Sequence, residues 1–254
     1  MSIIYDSNEK IFYLNTPNTS YVMNVYCEKY LLHLYYGKKV DRFPSVREHL
    51  PTAESRPLYP NDIEETNGCS SILSMEYPCY GSADFRTPAF HAEYENGSAI
   101  TKLEYSGYEI IKGKKQLSGL PATYVESEAE ADTLEITLCD KLTGLEIILS
   151  YTVFNNFDAI AKSVRVKNSG NQSINLKSVL SSTTYLFDKD YDFIHLEGAW
   201  TRERNIQKRP LMNGIMAVDS KMVSSGHIHS PFLALARPYA TETQGDVYGF
   251  SFVY

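Results

Sequence analysis

The residues best suited to recognising a ligand lie together in the segment Glu197-Gly-Ala-Trp-Thr-Arg-Glu-Arg204. Trp200 is the only tryptophan of the chain, and two small residues precede it. An indole offers a flat apolar face, and arginines donate paired hydrogen bonds to oxygen-rich ligands. Trp200, Arg202 and Arg204 could therefore stack on the C–H face of a sugar and bind its hydroxyls. The pattern is equally consistent with a core tryptophan beside surface arginines.

A second segment, Glu76-Tyr-Pro-Cys-Tyr-Gly-Ser-Ala-Asp-Phe-Arg-Thr-Pro-Ala-Phe90, also concentrates polar groups. Asp84 and Arg86 are two residues apart and could form an ion pair across a turn. Such a pair could belong to a binding site or to a structural corner of the fold, and we favour the structural corner.

Metal and cofactor motifs are not found. His227 and His229 would point to one face of a strand, but no third ligand is evident. The segment that begins at Asp188 starts like a calcium loop, yet Phe193 occupies its glycine position and Ala199 its bidentate glutamate position. Dinucleotide, phosphate-loop, zincin and nucleophile-elbow motifs are missing too. The sequence predicts neither a metal nor a cofactor.

Carboxylates alone do not identify a catalytic pair. The chain has 31 Asp and Glu residues, and a glycoside hydrolase draws its two carboxylates from distant segments of the chain. Spacing therefore selects no pair, and we assign no catalytic residue.

The secondary-structure elements that must position the candidate residues show apolar side chains at every second position. In Thr133–Asp140, Leu134, Ile136 and Leu138 share one face, which predicts a strand with one solvated side. Leu145–Phe154 alternates in the same way after a turn that ends on a glycine, so the two segments predict a hairpin.

Further strands are predicted on both sides of this hairpin. Ser163–Lys167 and the segment from Ile174 to Leu180, with a turn between them, predict a second hairpin. The N-terminal third gives three short tyrosine-rich strands, at Lys10–Leu14, Ser20–Cys27 and Tyr30–Tyr36. Helical periodicity is nearly absent. We therefore expect an all-β fold in which antiparallel sheets pack face to face as a sandwich.

The composition of the chain limits the classes of partner it can bind and the cellular location we expect for it. The chain has 254 residues and a formal net charge of −7, without a basic stretch that could neutralise a nucleic-acid backbone. It begins without a secretion signal and contains no apolar run that could span a membrane. We expect a cytoplasmic protein that binds neither nucleic acid nor membrane. The apolar strand Val247–Tyr254 continues to the last residue, which leads us to expect a longer natural protein.

Several segments of the chain strongly resemble the N-terminal part of bacterial α-galactosidases of glycoside hydrolase family 36, and the resemblance covers all 254 residues. The segments are Met1–Asp6, Glu76–Gly81, Asp84–Phe90, Glu95–Ser98, Gly119–Glu126, Gly144–Phe154, Gly198–Arg204, Lys208–Leu211 and Gly249–Tyr254.

This resemblance implies that residues 1–254 form one large antiparallel β-supersandwich of the galactose mutarotase-like type. In the complete enzyme a (β/α)8 barrel and a small C-terminal β-domain would follow. Both catalytic aspartates of the retaining mechanism would lie on that barrel, outside this chain, so the chain alone would be inactive. The expected substrates are oligosaccharides with a terminal α-linked galactose, such as melibiose and raffinose.

The resemblance also implies which residues reach the substrate. Trp200 matches a family tryptophan at the rim of the galactose site. Glu54 is the nearest acidic match to a family carboxylate, in a long loop, Arg42–Ser71, that departs from the common pattern. The domain would contact the barrel of its own or a neighbouring subunit in a tetramer. Two alternatives remain: an independent carbohydrate-binding module, and a purely structural interaction domain with a buried Trp200.

Overall fold

The structure is a computed structural model that describes residues 2–44, 73–82, 87–119, 122–222 and 226–253. Its regular elements are antiparallel strands and one three-residue 3-10 turn at Glu128–Glu130. The predicted all-β class is therefore confirmed. None of the helical segments in the described ranges has the length and apolar character needed to cross a membrane.

The chain divides into two compact units. The first combines Met1–Lys115 with Tyr124–Tyr185, and the second combines Gln116–Thr123 with Leu186–Tyr254. The description of residues 1–254 as one supersandwich domain stays a prediction beside this division.

Within the described ranges, the first unit contains ten strands in three sheets. They are β1 (Ile3–Asp6), β2 (Ile11–Asn15), β3 (Thr19–Tyr26), β4 (Tyr30–Lys38), β5 (Phe90–Tyr94), β6 (Glu104–Lys112), β7 (Ala131–Asp140), β8 (Leu145–Phe154), β9 (Ile160–Asn168) and β10 (Ile174–Val179). β1 to β4 form one antiparallel meander and β6 to β9 another, while β5 pairs with β10.

The core of this unit contains side chains from both meanders. Phe12, Leu14 and Met23 of the first meander are fully buried in one cluster with Leu134 and Ile136 of the second. The opposite face of the first meander buries a second apolar cluster of its own. The first meander is therefore covered on both faces, which accounts for its nearly continuous apolar sequence.

The hairpin predicted from the alternating leucines is confirmed. Asp140 of β7 pairs with Leu145 of β8 next to the turn, and the pairing continues along both strands. Gly144 ends the turn with a φ of 73°. The Asp140 carboxylate accepts a backbone hydrogen bond from Leu142 at 2.9 Å, the usual device of an Asx turn. A side chain at position 144 would also meet the backbone of Gly170 at 2.9 Å, so this close approach requires glycine.

The second predicted hairpin is wrong in its pairing, although both of its strands exist. β9 pairs with β8, whereas β10 pairs with β5, which lies some eighty residues earlier in the sequence. The period of two identifies a strand and its buried face, but it contains no information on which strand lies next to it.

The part of the second unit that the structure describes forms a four-stranded antiparallel sheet. Its strands are β11 (Asp192–Ala199), β12 (Arg202–Pro210), β13 (His229–Ala236) and β14 (Val247–Ser251), in the order β12-β11-β13-β14. Arg237, directly after β13, donates two hydrogen bonds of 2.7 and 2.9 Å to the Asp188 carboxylate. This ion pair is the role that the structure gives to the first residue of the calcium-like segment.

One buried carboxylate links strands of both meanders in the first unit. Glu76 is 2% exposed, and it accepts hydrogen bonds from the hydroxyls of Tyr21 at 2.6 Å and Tyr151 at 2.8 Å. The Lys162 ammonium lies 3.3 Å from the same carboxylate, and His33 Nδ1 lies 3.2 Å from it. An ionised carboxylate only accepts, so His33 donates here. The four donors come from β3, β4, β8 and β9.

The same cluster fixes the segment that follows β10. The Lys162 ammonium donates to the carbonyl oxygen of Thr183 at 2.9 Å, and the Thr183 hydroxyl donates to the backbone carbonyl of Glu76. Tyr77 donates through its hydroxyl to the carbonyl of Leu180 at 2.7 Å. The chain therefore leaves the first unit along a path set by hydrogen bonds to its core.

Electrostatics keep Glu76 ionised. Burial alone would raise its pKa, but the positive charge of Lys162 and the hydrogen bonds from His33 and Tyr21 outweigh it and lower the pKa from 4.5 to about 2. Burial and the charge of Glu76 raise the pKa of the Tyr21 and Tyr151 hydroxyls, so both phenols remain donors. Burial lowers the pKa of Lys162, and attraction to Glu76 opposes that shift.

We expect Glu76→Gln to destabilise the chain at neutral pH, because the substitution leaves the buried Lys162 without its counter-charge. A carboxyl pKa that falls from 4.5 to about 2 on folding corresponds to about 3 kcal/mol. That contribution is fully present above pH 4.5 and is lost as the pH falls towards 2. Urea unfolding of both proteins between pH 7 and pH 3 measures it, and the difference should shrink with acidification.

Glu93→Gln is the matched control for this experiment, because Glu93 pairs with Lys177 at 2.6 Å on the surface. Its loss should change the free energy of unfolding far less. Equal effects of the two substitutions would contradict a special role for the Glu76 cluster.

Candidate functional site

Trp200 lies at the tip of the hairpin formed by β11 and β12. Ala199 pairs with Arg202, so Trp200 and Thr201 make a two-residue turn between the strands. The tryptophan is 83% exposed. The interpretation of Trp200 as a residue of this chain's core is therefore wrong. The alternative of a purely structural interaction domain loses its buried Trp200 but otherwise stays a prediction. We call residues 197–205 the Trp200 hairpin.

The backbone of the Trp200 hairpin is held in an uncommon conformation. Thr201 has a φ of 69° and Arg204 a φ of 59°, both in the left-handed region that residues with a Cβ seldom adopt. The register shifts between Glu197 and Ala199, which gives β12 one extra residue and makes a β-bulge. Such bulges redirect side chains, and strained residues of this kind concentrate at functional sites.

Gly198 is required by the close approach of the two strands at the bulge. A Cβ on Gly198 would lie 2.2 Å from the carbonyl oxygen of Arg202, a distance that no side chain tolerates. The sequence signal for this constraint is the Gly-Ala pair that precedes the tryptophan.

Local hydrogen bonds stabilise the turn itself. The backbone N–H of Thr201 donates to the Glu203 carboxylate at 3.0 Å, and the Asn205 amide donates to the carbonyl of Arg202 at 2.6 Å. The backbone N–H of Gly198 donates to the carbonyl of Ile228 at 3.1 Å, which joins the hairpin to the chain before β13. The tip is thus exposed but well supported.

The two arginines of the motif have different environments. The Arg204 guanidinium donates to His227 Nδ1 from Nε at 3.0 Å and from Nη2 at 2.7 Å. Arg202 is exposed, and its guanidinium makes no hydrogen bond or ion pair with any residue that the structure describes. Arg202 is therefore available to a ligand, whereas Arg204 is occupied within the protein.

A carboxylate and an imidazole lie on β11 at the base of the Trp200 hairpin. His195 is 5% exposed and its Nε2 lies 3.2 Å from the carboxylate of Glu197, while its Nδ1 has no partner among the described residues. About half of the Glu197 side chain is accessible to solvent. The sequence analysis did not single out His195, although its position two residues from Phe193 places both on one face of the strand.

Other residues singled out in the sequence do not contribute to this arrangement. Glu54, Asp84 and Arg86 fall outside the described residues. Within the described ranges, no three His, Cys, Asp or Glu side chains lie close enough together to hold a metal ion. His227 instead accepts the hydrogen bonds of Arg204.

The buried Glu76 cluster leaves no space for a ligand. The cavity beside Glu76, Tyr151 and Lys162 has a volume of about 10 Å³, room for one water at most. The role of the Glu76 cluster is structural, and the exposed Trp200 hairpin is the better candidate for ligand recognition. An accessible indole with Arg202 and Glu197 nearby offers an apolar face together with a hydrogen-bond donor and an acceptor, the combination that a sugar ring requires.

Comparison with protein families gives a match over most of the chain. A family model described as the glycosyl hydrolase family 36 N-terminal domain matches residues 29–254. Among curated proteins, the chain is 44% identical over 254 residues to alpha-galactosidase AgaA of Geobacillus stearothermophilus, covering all of this chain and 35% of that protein. It is 37% identical to the bifunctional alpha-galactosidase/sucrose kinase AgaSK of Mediterraneibacter gnavus, covering all of this chain and 27% of that protein.

Solved structures agree in fold. The GH36 alpha-galactosidase AgaB of Geobacillus stearothermophilus superposes with a TM-score of 0.92 at 44% identity, over all of this chain and 34% of that one. A variant of AgaA from the same organism, in complex with raffinose, gives a TM-score of 0.91 at 44% identity, over 96% of this chain and 34% of that one. The chain thus spans about a quarter to a third of the length of these relatives.

We expect Trp200→Ala to leave the fold intact, because the side chain buries little surface. The free energy of unfolding should change by no more than about 0.5 kcal/mol, whereas truncating a buried tryptophan costs roughly 3 to 5 kcal/mol. Thermal unfolding followed by circular dichroism measures the difference. A fall of more than ten degrees or so in Tm would contradict the exposed position.

Proposed function

The chain belongs to the glycosyl hydrolase family 36 N-terminal domain family, and we propose on this basis that it serves an α-galactosidase by shaping the rim of the sugar site. The observation that supports this role most directly is the 83% exposure of Trp200 at the tip of a hairpin with a fixed backbone. A large aromatic side chain displayed in this way loses little entropy when it stacks on a ligand.

In this proposal, Trp200 stacks on the apolar face of an α-galactoside. Arg202 has no partner among the described residues, so it can donate to sugar hydroxyls. Glu54 is the second proposed contact; it comes from the resemblance alone. The substrates would be oligosaccharides with a terminal α-linked galactose, in keeping with the raffinose bound by the AgaA variant.

The reaction itself requires groups from elsewhere. A retaining glycosidase places two carboxyl groups about 5 Å apart across the scissile bond, one as nucleophile and one as acid and base. We propose that a barrel domain outside these 254 residues supplies both of them. This chain would then contribute orientation and specificity, and no cofactor takes part.

A role at the rim also requires a surface that contacts the rest of the enzyme. Large apolar side chains of the second unit are exposed, among them Ile206 at 71%, Met212 at 67% and Ile215 at 84%. Exposed apolar groups in such number favour burial against protein. We propose that the partner is the barrel of the same or a neighbouring subunit, in a cytoplasmic homotetramer.

The competing proposal is an independent carbohydrate-binding module, which the same exposed Trp200 would permit. The two differ in what the 254-residue chain binds by itself. Isothermal titration with galactose and with melibiose separates them. A rim domain lacks the other half of its site and should give no measurable heat at millimolar sugar, whereas a module should bind both.

We expect the chain alone to hydrolyse no α-galactoside, because both catalytic carboxylates are proposed to lie outside it. The assay is release of nitrophenol from a nitrophenyl α-galactoside by chain purified to homogeneity, with normal β-rich circular dichroism as proof of folding. Turnover that follows the protein through a further purification step would refute the proposal.

In the complete enzyme, we expect Trp200→Ala to lower kcat/KM for raffinose on the order of tenfold, since a stacking contact is lost. Trp200→Phe, which keeps an aromatic face, should lose less. Tyr239→Ala is the control, because Tyr239 is 89% exposed in the same unit but outside the Trp200 hairpin. An unchanged kcat/KM in Trp200→Ala would exclude the contact with substrate.

A further inference from the structure

The Trp200 hairpin is joined by a side-chain contact to the chain that leads into β13. We propose that Arg204 and His227 act as positioning residues that hold the Trp200 hairpin in one orientation. The contact with sugar rests on the proposed function, but the clamp between the two side chains does not. Neither residue touches the proposed ligand; they would act through Trp200.

The geometry of the clamp fixes the chemical state of His227. An arginine guanidinium has donors only, and Nε and Nη2 of Arg204 lie 3.0 and 2.7 Å from Nδ1 of His227. Nδ1 must therefore be an unprotonated acceptor, with the ring hydrogen on Nε2. The two donors of Arg204 share the single lone pair of Nδ1.

Backbone contacts at the same place show that the clamp acts on the bulge. The N–H of Arg204 donates to the carbonyl of His227 at 3.2 Å, and the N–H of Gly198 donates to the carbonyl of Ile228 at 3.1 Å. Arg204 is also one of the two residues of the hairpin with a left-handed φ. A residue in this conformation tends to relax towards the common regions unless its surroundings hold it there. The bonds to His227 provide that restraint.

The clamp is specific to Arg204 rather than to positive charge in the hairpin. Arg202 has the same charge two residues earlier, at the tip side of the bulge, and makes no such contact among the described residues. A lysine at position 204 would keep the charge but would lose the planar pair of donors. Alanine substitutions at Arg202 and Arg204 therefore remove the same charge, but only the one at Arg204 removes the clamp.

The only tryptophan of the chain reports on the hairpin directly. Time-resolved fluorescence anisotropy of the 254-residue chain measures how far the Trp200 hairpin moves on the nanosecond timescale. In Arg204→Ala and His227→Ala we expect the amplitude of the nanosecond component to rise about twofold. Exchange of the Gly198 amide hydrogen should become about tenfold faster, because its bond to Ile228 opens more often.

Two further variants separate the clamp from general structural damage. His227→Asn places an amide oxygen where Nδ1 was and should restore the wild-type anisotropy, while Arg202→Ala should leave it unchanged. Circular dichroism and Tm identify any variant that does not fold. If Arg204→Ala does not fold, the comparison of His227→Ala with His227→Asn still tests the clamp. Wild-type anisotropy in His227→Ala, or an equal rise in Arg202→Ala, would overturn the proposal.

Kinetics of the complete enzyme then test the link to substrate. Arg204→Ala should raise KM for raffinose several-fold with kcat little changed, because the indole is less often in place. If the anisotropy changes as expected while KM does not, the clamp stands and the proposed sugar contact of Trp200 fails. If Trp200→Ala alters the kinetics but no clamp variant alters the anisotropy, the sugar contact stands and the clamp fails.

Discussion

The carboxylate of Glu76 is the constraint on which the first unit depends. Because it is buried and ionised, it must be surrounded by donors at hydrogen-bond distance, and the donors are Tyr21, His33, Tyr151 and Lys162. These side chains stand on strands of both meanders. Apolar packing tolerates small shifts between sheets, whereas a charge with four specified donors does not. The cluster therefore determines the relative placement of these strands.

The second unit achieves local rigidity by other means. Trp200 is supported by a bulge, by two left-handed residues and by hydrogen bonds on the surface rather than by burial. This solution leaves the ring accessible. A site that must be both exposed and oriented cannot use the hydrophobic core for its rigidity, so the backbone of the hairpin and the side chains behind it provide it instead.

Local sequence was sufficient to predict several of the strands and the β7–β8 hairpin, but not the pairing between distant strands. The alternation of Leu134, Ile136 and Leu138 predicts a strand and its buried face, because both follow from the pleat. The pairing of β10 with β5 could not be predicted, since periodicity is blind to distant segments. For Glu76, nothing nearby reveals its role, because most of its donors are fifty or more residues away. The exposure of Trp200 depends on the β-bulge, and the only trace of that bulge in the sequence is Gly198. The contact of Glu54 with substrate remains a prediction.

The long-range bonds of Glu76 also bear on the order in which the chain can mature during synthesis. Its donors Tyr151 and Lys162 are 75 and 86 residues further along, and the Thr183 hydroxyl that caps its carbonyl is 107 residues away. The first meander, by contrast, pairs neighbours only. On the ribosome, β1 to β4 can assemble early while the Glu76 carboxylate stays hydrated. Its donors can enclose it only after Lys162 has emerged, and the Thr183 contact forms later still, so closure of this core comes late for the nascent chain.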